Sequence, residues 1–409
     1  MYTEHHQDRD EPGKATVEYN PYSSAIQHNP FPVYRWLRDE APVYHNEKVG
    51  FWALSRYDDV LAASLDTATF LSGHGMTIEG LDAGNDILIN KDQPEHTWHR
   101  RLVSRVFTPM AVAAQEDTIR AVCRELLANA RERGQIDVVE EFSLVLPIAV
   151  ICEMLGIPAD AREQIHDRSS RMLAMPATDG PPVLSDDVIN ASLELAVQMT
   201  DVVNERAESP GDDIITLLLQ SEVVDDDGAT WRLTREQVAS RVVELVVAGH
   251  ETTAKLIGNM VVALAWYPDA RAELAAAPSL VAHAVEEGLR WDGPSHYQGR
   301  WVERDVELRG VTIPADSRVV LLTGAASHDD RAFEQPELFD IHRDIGRNLA
   351  LGWGIHLCLG QALARLETRV AIEELLAVAP DYELVDEGVA RAPSGQVRGH
   401  EHLPIAITG

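Results

Sequence analysis

The sequence predicts a mainly α protein with a minor β part, built as a single large domain. Three observations carry that reading. From about residue 94 to 291 apolar positions recur at helical spacing, and Pro109, Gly134, Pro158 and Pro210 break the run into separate helices. The pattern that opens at Thr234 continues to Trp266, a helix of roughly 45–50 Å at about 1.5 Å per residue. No internal repeat or low-complexity linker divides the 409 residues.

The elements follow in order. Residues 1–16 are polar and read as a disordered lead, so the domain is expected over 17–409. A short helix is predicted at Phe31–Glu40. Val43–His45 and Phe51–Leu54 form a hairpin around the turn Asn46–Gly50. After the helical region, Thr234 and Gln237 have the spacing of a capping box, and Pro268 closes the long helix. From Trp301 to Leu322 the pattern changes to short strands and turns, marked by Gly310 and Pro314. An irregular stretch, His328–Leu349, precedes a helix from about Cys358 to Ala379, and the last thirty residues return to strands and turns.

Composition narrows the function. Net charge is −31, from 66 acidic and 35 basic residues, a surface that repels nucleic acid and anionic membranes. Three cysteines, Cys123, Cys152 and Cys358, form no CxxC pair and no disulfide framework, so a reducing compartment is expected. The N-terminus has no apolar signal core. The most apolar stretch, Val238–Trp266, carries Arg241, Glu244, His250, Glu251 and Lys255, which argues against a membrane span. The cytoplasm is the expected location.

Four segments carry chemistry. In Leu351–Gly360, LGWGIHLCLG, a cysteine stands at a glycine-rich turn before a helix. Backbone N–H groups and the helix N-terminus favour a thiolate there; by itself, the same cysteine also fits a buried structural role. In Ala248–Thr253, AGHETT, an acid and two hydroxyls interrupt an apolar helix. They suit proton delivery, or else a surface acid and a hydroxyl bonded back to a carbonyl. His250–Glu251 begins an HExxH zinc pattern, but Ala254 replaces the second histidine. In EGLR, Glu287 and Arg290 form an i, i+3 pair. In His96–Arg105, HTWHRRLVSR, His96 and Arg100 share a helix face.

In this order, from about residue 30 onward, the segments resemble the cytochrome P450 family. LGWGIHLCLG is similar to its cysteine signature FxxGxxxCxG. Gly354, Cys358 and Gly360 match, His356 stands where the family has His or Arg, and Leu351 replaces the usual Phe. AGHETT matches (A/G)Gx(D/E)T(T/S) without exception. The resemblance implies haem b between the long central helix and the cysteine loop, with Cys358 as the thiolate ligand of iron. It implies Thr252 beside bound oxygen, Glu251 on the proton path, and Ala248 and Gly249 leaving room for oxygen. His96, Arg100, Arg300 and His356 are implied to hold the haem propionates. Glu287 and Arg290 are implied to be structural, locking their helix to the loop around His342–Arg343.

The implied activity is that of a monooxygenase. One oxygen atom from O2 enters a C–H or C=C bond of a largely apolar small molecule. Electrons come from NAD(P)H through a separate ferredoxin and ferredoxin reductase, since no flavin or nicotinamide domain is fused to the chain. Arg101, Arg105, Arg365 and Arg369 are the candidates for ferredoxin docking. By resemblance the loop Ser72–Lys91, with Gly73, Gly75, Gly80 and Gly84, is a mobile lid over the substrate. Met76, Ile78, Leu81, Ile87, Ile89, Val247, Tyr297 and Gln298 are the candidate pocket residues. Two alternatives stay open, a haem-thiolate peroxygenase and a non-catalytic haem-binding sensor.

Overall fold

The computed structural model describes residues 17–78, 80, 86–174, 177–178, 180, 184–225 and 227–408. The expected disordered lead and Leu81 lie outside them. The helices that organise the site are α1 (Phe31–Glu40), α2 (Tyr57–Leu65), α3 (Glu95–Ser104), α4 (Glu116–Leu127), α5 (Val145–Leu155), α6 (Arg162–Leu173), α7 (Asp186–Glu208), α8 (Ile214–Gln220), α9 (Arg235–Trp266), α10 (Pro268–Ala276), α11 (Val281–Asp292) and α12 (Gln361–Val378). The strands of the two larger sheets are β1 (Val43–Asn46), β2 (Phe51–Leu54), β3 (Phe70–Leu71), β4 (Gln135–Asp137), β5 (Gln298–Val302), β6 (Ser317–Leu321), β7 (Tyr382–Leu384) and β8 (Pro404–Ile407). One sheet has the order β1-β2-β6-β5-β3, the other β7-β8-β4. β6 runs parallel to β2 and antiparallel to β5. Among the described residues no helix is long and apolar enough to cross a membrane.

Helix α9 is the axis of the molecule. Its capping box is formed as expected: Gln237 N–H donates to Thr234 Oγ1 at 3.2 Å, and Thr234 N–H donates to Gln237 Oε1 at 3.0 Å. These bonds satisfy amide groups that a helix start leaves orphaned. The helix runs 32 residues. Pro268 both ends it and begins α10, because a proline at the first helical position loses no hydrogen bond. The N-terminal half of α9, Val238–Val246, packs with Leu195, Met199 and Val203 of α7 and Ile214–Leu218 of α8. The C-terminal half, Leu256–Leu264, packs with Ile119 and Cys123 of α4, Leu289 of α11 and Val370–Leu376 of α12. Both large apolar clusters therefore share one helix.

The irregular stretch before α12 is held by polar bonds rather than by secondary structure. Glu287 and Arg290 on α11 have no exposed side-chain surface and pair through two bonds of 2.7 Å. Arg290 also donates to the carbonyls of Ser327 at 2.9 Å, Pro336 at 2.8 Å and Leu338 at 3.1 Å. Glu287 accepts from the Asp340 N–H at 2.9 Å and from Arg343 Nε at 3.2 Å. Asn348 then donates to the Glu286 carbonyl at 3.0 Å. The loop is tied to α11 along its length.

Removing one partner of a buried ion pair leaves the other charge uncompensated, which costs about 3–5 kcal/mol, whereas half-exposed pairs contribute ~0–1 kcal/mol. Glu287→Ala is therefore expected to lower stability by about 3–5 kcal/mol. Glu286→Ala, which loses only the partly exposed pair with Arg365, is expected to cost under ~1 kcal/mol. Urea unfolding of both variants checks the contrast; equal losses would mean that α11 does not hold the loop through Glu287.

Candidate active site

The cysteine lies on a turn that only glycine permits. Gly352 and Gly354 have φ of +70° and +74°, and a Cβ on Gly354 would sit 2.7 Å from the Ser64 carbonyl oxygen of α2. The Cys358 N–H donates to the Leu351 carbonyl at 2.9 Å, closing the turn. Leu351 packs on the large core cluster, so the residue that departs from the signature still anchors the loop. Gly360 caps α12. Burial pushes the Cys358 thiol up, against the Gly360 N–H, Arg100 and Arg365, which all pull it down. The turn thus acts in the expected direction without prevailing; a cation on the sulfur is what deprotonates a coordinating thiol outright. Cys358 is half-buried. Cys123 and Cys152 are core residues whose thiols burial pushes up to about 12 and about 11.

One face of helix α9 is more open than the rest. Leu245, Ala248 and Thr252 recur at three- and four-residue spacing; Ala248 is exposed and the other two are half-buried, in a helix otherwise largely enclosed. The Thr252 hydroxyl donates to the Ala248 carbonyl at 2.9 Å. Gly249 does not share this face. A Cβ there would meet Ile151 of α5 at 3.3 Å, so its small size serves helix packing rather than the room for oxygen expected of it.

Glu251 turns to the opposite side. It is 3 % exposed, which excludes a solvated surface acid. Ser170 of α6 donates to its Oε1 at 2.7 Å, Lys255 to its Oε2 at 2.9 Å, and His250 Nε2 lies 3.5 Å from Oε1. Burial pushes the carboxyl up, but His250, Lys255 and Ser170 together outweigh it and hold the group well below the usual carboxylate range.

Four basic side chains converge beside the cysteine turn. The rings of His96 and His356 are 4.6 Å apart. His356 Nε2 is 3.0 Å from the Ser72 hydroxyl, Arg100 donates to the Leu357 carbonyl at 2.6 Å, and Arg300 donates to the Gly299 carbonyl at 2.7 Å and to Gln298 Oε1 at 3.2 Å. Among the described residues none of the four makes an ion pair with a carboxylate, and the buried His96 Nε2 has no partner. Burial, then Arg300, His96 and Arg100, depress His356 to about 2. Burial, then Arg100, depresses His96 to about 4, and burial lowers Arg300 to about 10. Asp92 offsets the burial of His96 and Arg300 only in part, and Glu244 that of Arg100, so the cluster stays short of negative charge, and a group bearing two carboxylates would supply it. A Cβ on Gly360 would meet nothing within 4 Å. These residues fit haem.

The pocket candidates divide. Met76, Ile89, Val247 and Gln298 are half-buried. Ile78 and Tyr297 belong to a buried apolar cluster with Tyr22 and Phe51, and the Tyr297 hydroxyl lies 3.3 Å from that of Tyr22. Their burial leaves little surface for a ligand, so packing accounts for both. The end of the expected lid is tied down: Glu244 of α9 accepts from the Leu88 N–H at 2.9 Å and the Ile89 N–H at 3.2 Å, and Arg241 pairs with Asp86. At its start, Asp92 accepts from the N–H groups of Ser72 and Gly73, each at 2.8 Å.

Several residues at the site were not read from the sequence. Ser170 meets Glu251 across 81 positions, so nothing local signals it. Ser72, which bonds His356, is equally remote. Glu367 was legible in principle: it falls among Leu363, Val370 and Ala371 on the apolar face of α12. It is 1 % exposed with no well-formed hydrogen bond to either oxygen among the described residues. Burial pushes its carboxyl up to about 8, and Thr253 on α9 draws it partly back.

Comparison with known proteins matches this architecture. Residues 278–378, which span Glu287, Arg290 and Cys358, match the family model described as Cytochrome P450. The vitamin D(3) 25-hydroxylase of Pseudonocardia autotrophica is 37% identical over 406 residues, 96% of this chain and 97% of that protein. The structure of cytochrome P450 CYP109Q5 from Chondromyces apiculatus superposes with a TM-score of 0.85 at 33% identity, covering 95% of this chain and 98% of that one. CYP109E1 from Bacillus megaterium, solved in complex with testosterone, gives 0.84 at 32% identity over 94% and 99%. With relatives at this identity aligned over nearly its whole length, the chain belongs to the cytochrome P450 family of haem-dependent monooxygenases.

Proposed function

We propose that the chain inserts one oxygen atom from O2 into a C–H or C=C bond of a largely apolar small molecule, with electrons from NAD(P)H delivered by a separate ferredoxin and its reductase. The observation that carries the reading is the unpaired basic cluster beside Cys358, with its orphan His96 Nε2. When bound, haem supplies oxygen activation and oxygen-atom transfer. Cys358 would ligate the iron, and His96, Arg100, Arg300 and His356 would hold the propionates. Thr252 and Ala248 bound the space where oxygen reacts. Thr252 presents a proton there by exchanging the Ala248 carbonyl for another acceptor. Glu251, ionised at rest, relays the replacement: water that displaces Ser170 or Lys255 protonates the carboxylate, which passes the proton on toward Thr252 and returns to its ionised form. The relatives named for vitamin D(3) and solved with testosterone make steroid-like lipids the first substrates to screen.

Docking of an acidic ferredoxin needs local positive charge on a protein that is acidic overall. Of the four arginines expected there, Arg365 is paired with Glu286, and Arg369 with Glu116 and Glu373. Arg101 and Arg105 are exposed and form no ion pair among the described residues, so they are the cations free to meet a partner.

The reduced, carbon monoxide-treated protein is expected to show the strongly red-shifted Soret band of thiolate-ligated haem, and Cys358→Ser to lose it. A histidine-type band in the unaltered protein would refute Cys358 as ligand. Thr252→Ala is expected to cut O2-supported turnover by ~10²-fold or more while reduced cofactor is still consumed. Full O2-supported turnover in that variant would refute the role given to Thr252, whereas turnover of the unaltered enzyme with peroxide but not with reduced ferredoxin would favour the peroxygenase alternative. Arg101→Glu and Arg105→Glu are expected to slow haem reduction by reduced ferredoxin, most at low salt; stopped-flow rates equal to those of the unaltered protein would rule out this docking face.

A further inference from the structure

His166 on α6 and His250 and Glu251 on α9 place a ligand atom each within 4.8 Å of one another. His250 is fully buried. Its Nδ1 lies 2.7 Å from the Val246 carbonyl oxygen, an acceptor, so Nδ1 carries a proton. In the neutral ring the lone pair is then on Nε2, which has no hydrogen-bond partner and faces Glu251 Oε1 at 3.5 Å. A bare lone pair facing a carboxylate oxygen is repulsive, so the gap calls for a cation: a proton on Nε2, as in the pull on the Glu251 carboxyl described above, or a metal ion in its place. The separation suits one: bonds of about 2.0–2.2 Å to nitrogen and oxygen put neighbouring ligands of a tetrahedral ion about 3.3–3.5 Å apart. The Val246 carbonyl supplies the outer hydrogen bond that orients a metal-binding histidine.

We propose that His166, His250 and Glu251 form a binding site for a divalent transition metal of the zinc class, bridging α6 to α9. Two imidazoles and a carboxylate suit Zn²⁺, Co²⁺ and Ni²⁺ better than the oxygen-seeking Ca²⁺ or Mg²⁺. His166 and Glu251 line a cavity of about 660 Å³ shared with α5 and the segment Ala392–His402, which gives an ion a route in. Glu140, Glu163 and Glu401 line it as well, alongside Arg162. Lys255 opposes binding electrostatically, but it holds Oε2 and leaves Oε1 to the ion. Ser170, 2.7 Å from Oε1 and 3.4 Å from His166 Nδ1, gives up its bond to Glu251 as His166 closes in. The sequence pattern stopped at Ala254, where a zinc helix carries its second histidine; here that histidine comes from another helix.

The test is titration of the full-length holoenzyme with Zn²⁺ alone, followed by calorimetry. One saturable ion per chain is expected, with affinity falling at least tenfold in His166→Gln and in His250→Gln. The double variant His99→Gln/His402→Gln, which disables the two other His-carboxylate groupings among the described residues, is expected to bind as the unaltered protein does. His166 is half-buried, so its variant keeps the test sound even where His250→Gln fails to fold. No saturable binding, binding unchanged in His166→Gln, or binding lost in the double variant overturns the site; the first result would mean that a proton alone occupies the gap. Inhibition of turnover by Zn²⁺ rests further on the proton-delivery role given to Glu251. Binding without inhibition would uphold the site and refute that role.

Discussion

The buried Glu287–Arg290 pair is the interaction on which the rest of the site depends. A pair of charges removed from water is costly unless further hydrogen bonds satisfy it. Here Arg290 gives three more bonds to carbonyls of the 327–338 segment, and Glu287 receives two more, from Asp340 and Arg343. The cost of burying the charges is offset by ordering a stretch that has little regular structure of its own. That stretch leads directly into the turn bearing Cys358. The exactness of the cysteine's position is therefore set from α11, through backbone carbonyls, rather than by the apolar core alone.

The same logic explains which parts of the fold were legible in the sequence. Helix α9 announced itself because its signals are local: a capping box at Thr234, unbroken periodicity, a proline after Trp266. The hairpin Val43–Leu54 was equally local. The glycine turn at Cys358 was readable because its backbone demands glycine at 352 and 354. What escaped was anything that depends on contacts distant in sequence. The partners of Glu251 lie partly on α6, and the anchor of His356 lies at Ser72. Tyr297 looked like a polar handle in the chain, yet the fold turns it into the Tyr22 cluster. Gly249 looked like space for oxygen, yet it is where α5 presses on α9. Residue type marks a position as unusual; only packing says which side of a helix the unusual residue serves.

Electrostatics separates the two faces of the candidate centre. Beside Cys358, basic groups gather without carboxylate partners and are driven toward their neutral forms, His356 to about 2 and His96 to about 4. Beyond α9, Glu251 is held ionised by Lys255, Ser170 and His250. In a chain with almost twice as many acids as bases, such an unpaired basic cluster is a costly arrangement to maintain. It becomes favourable when an anionic group fills it, because binding then restores the protonated histidines and gives buried arginines a counter-ion. The chain is thus electrostatically incomplete where a cofactor bearing two carboxylates would bind, and complete around Glu251.

Glu251 and Thr252 show how one short motif serves two compartments. Adjacent positions on a helix differ by about 100°, so neighbouring side chains cannot share a face. Thr252 borders the open face with Ala248, whereas Glu251 borders the cavity lined by His166 and Ser170. A proton passing between them must cross the helix surface, and each residue must surrender a bond it now makes: Thr252 to the Ala248 carbonyl, Glu251 to Ser170 or Lys255. The helix is both the wall between Glu251 and Thr252 and the frame that fixes their offset. Any cation that locks Glu251 to α6 acts on the acid side alone and leaves the oxygen side untouched. That asymmetry follows from helical geometry alone, and under the proposed proton path it makes the acid side the natural place to control proton supply.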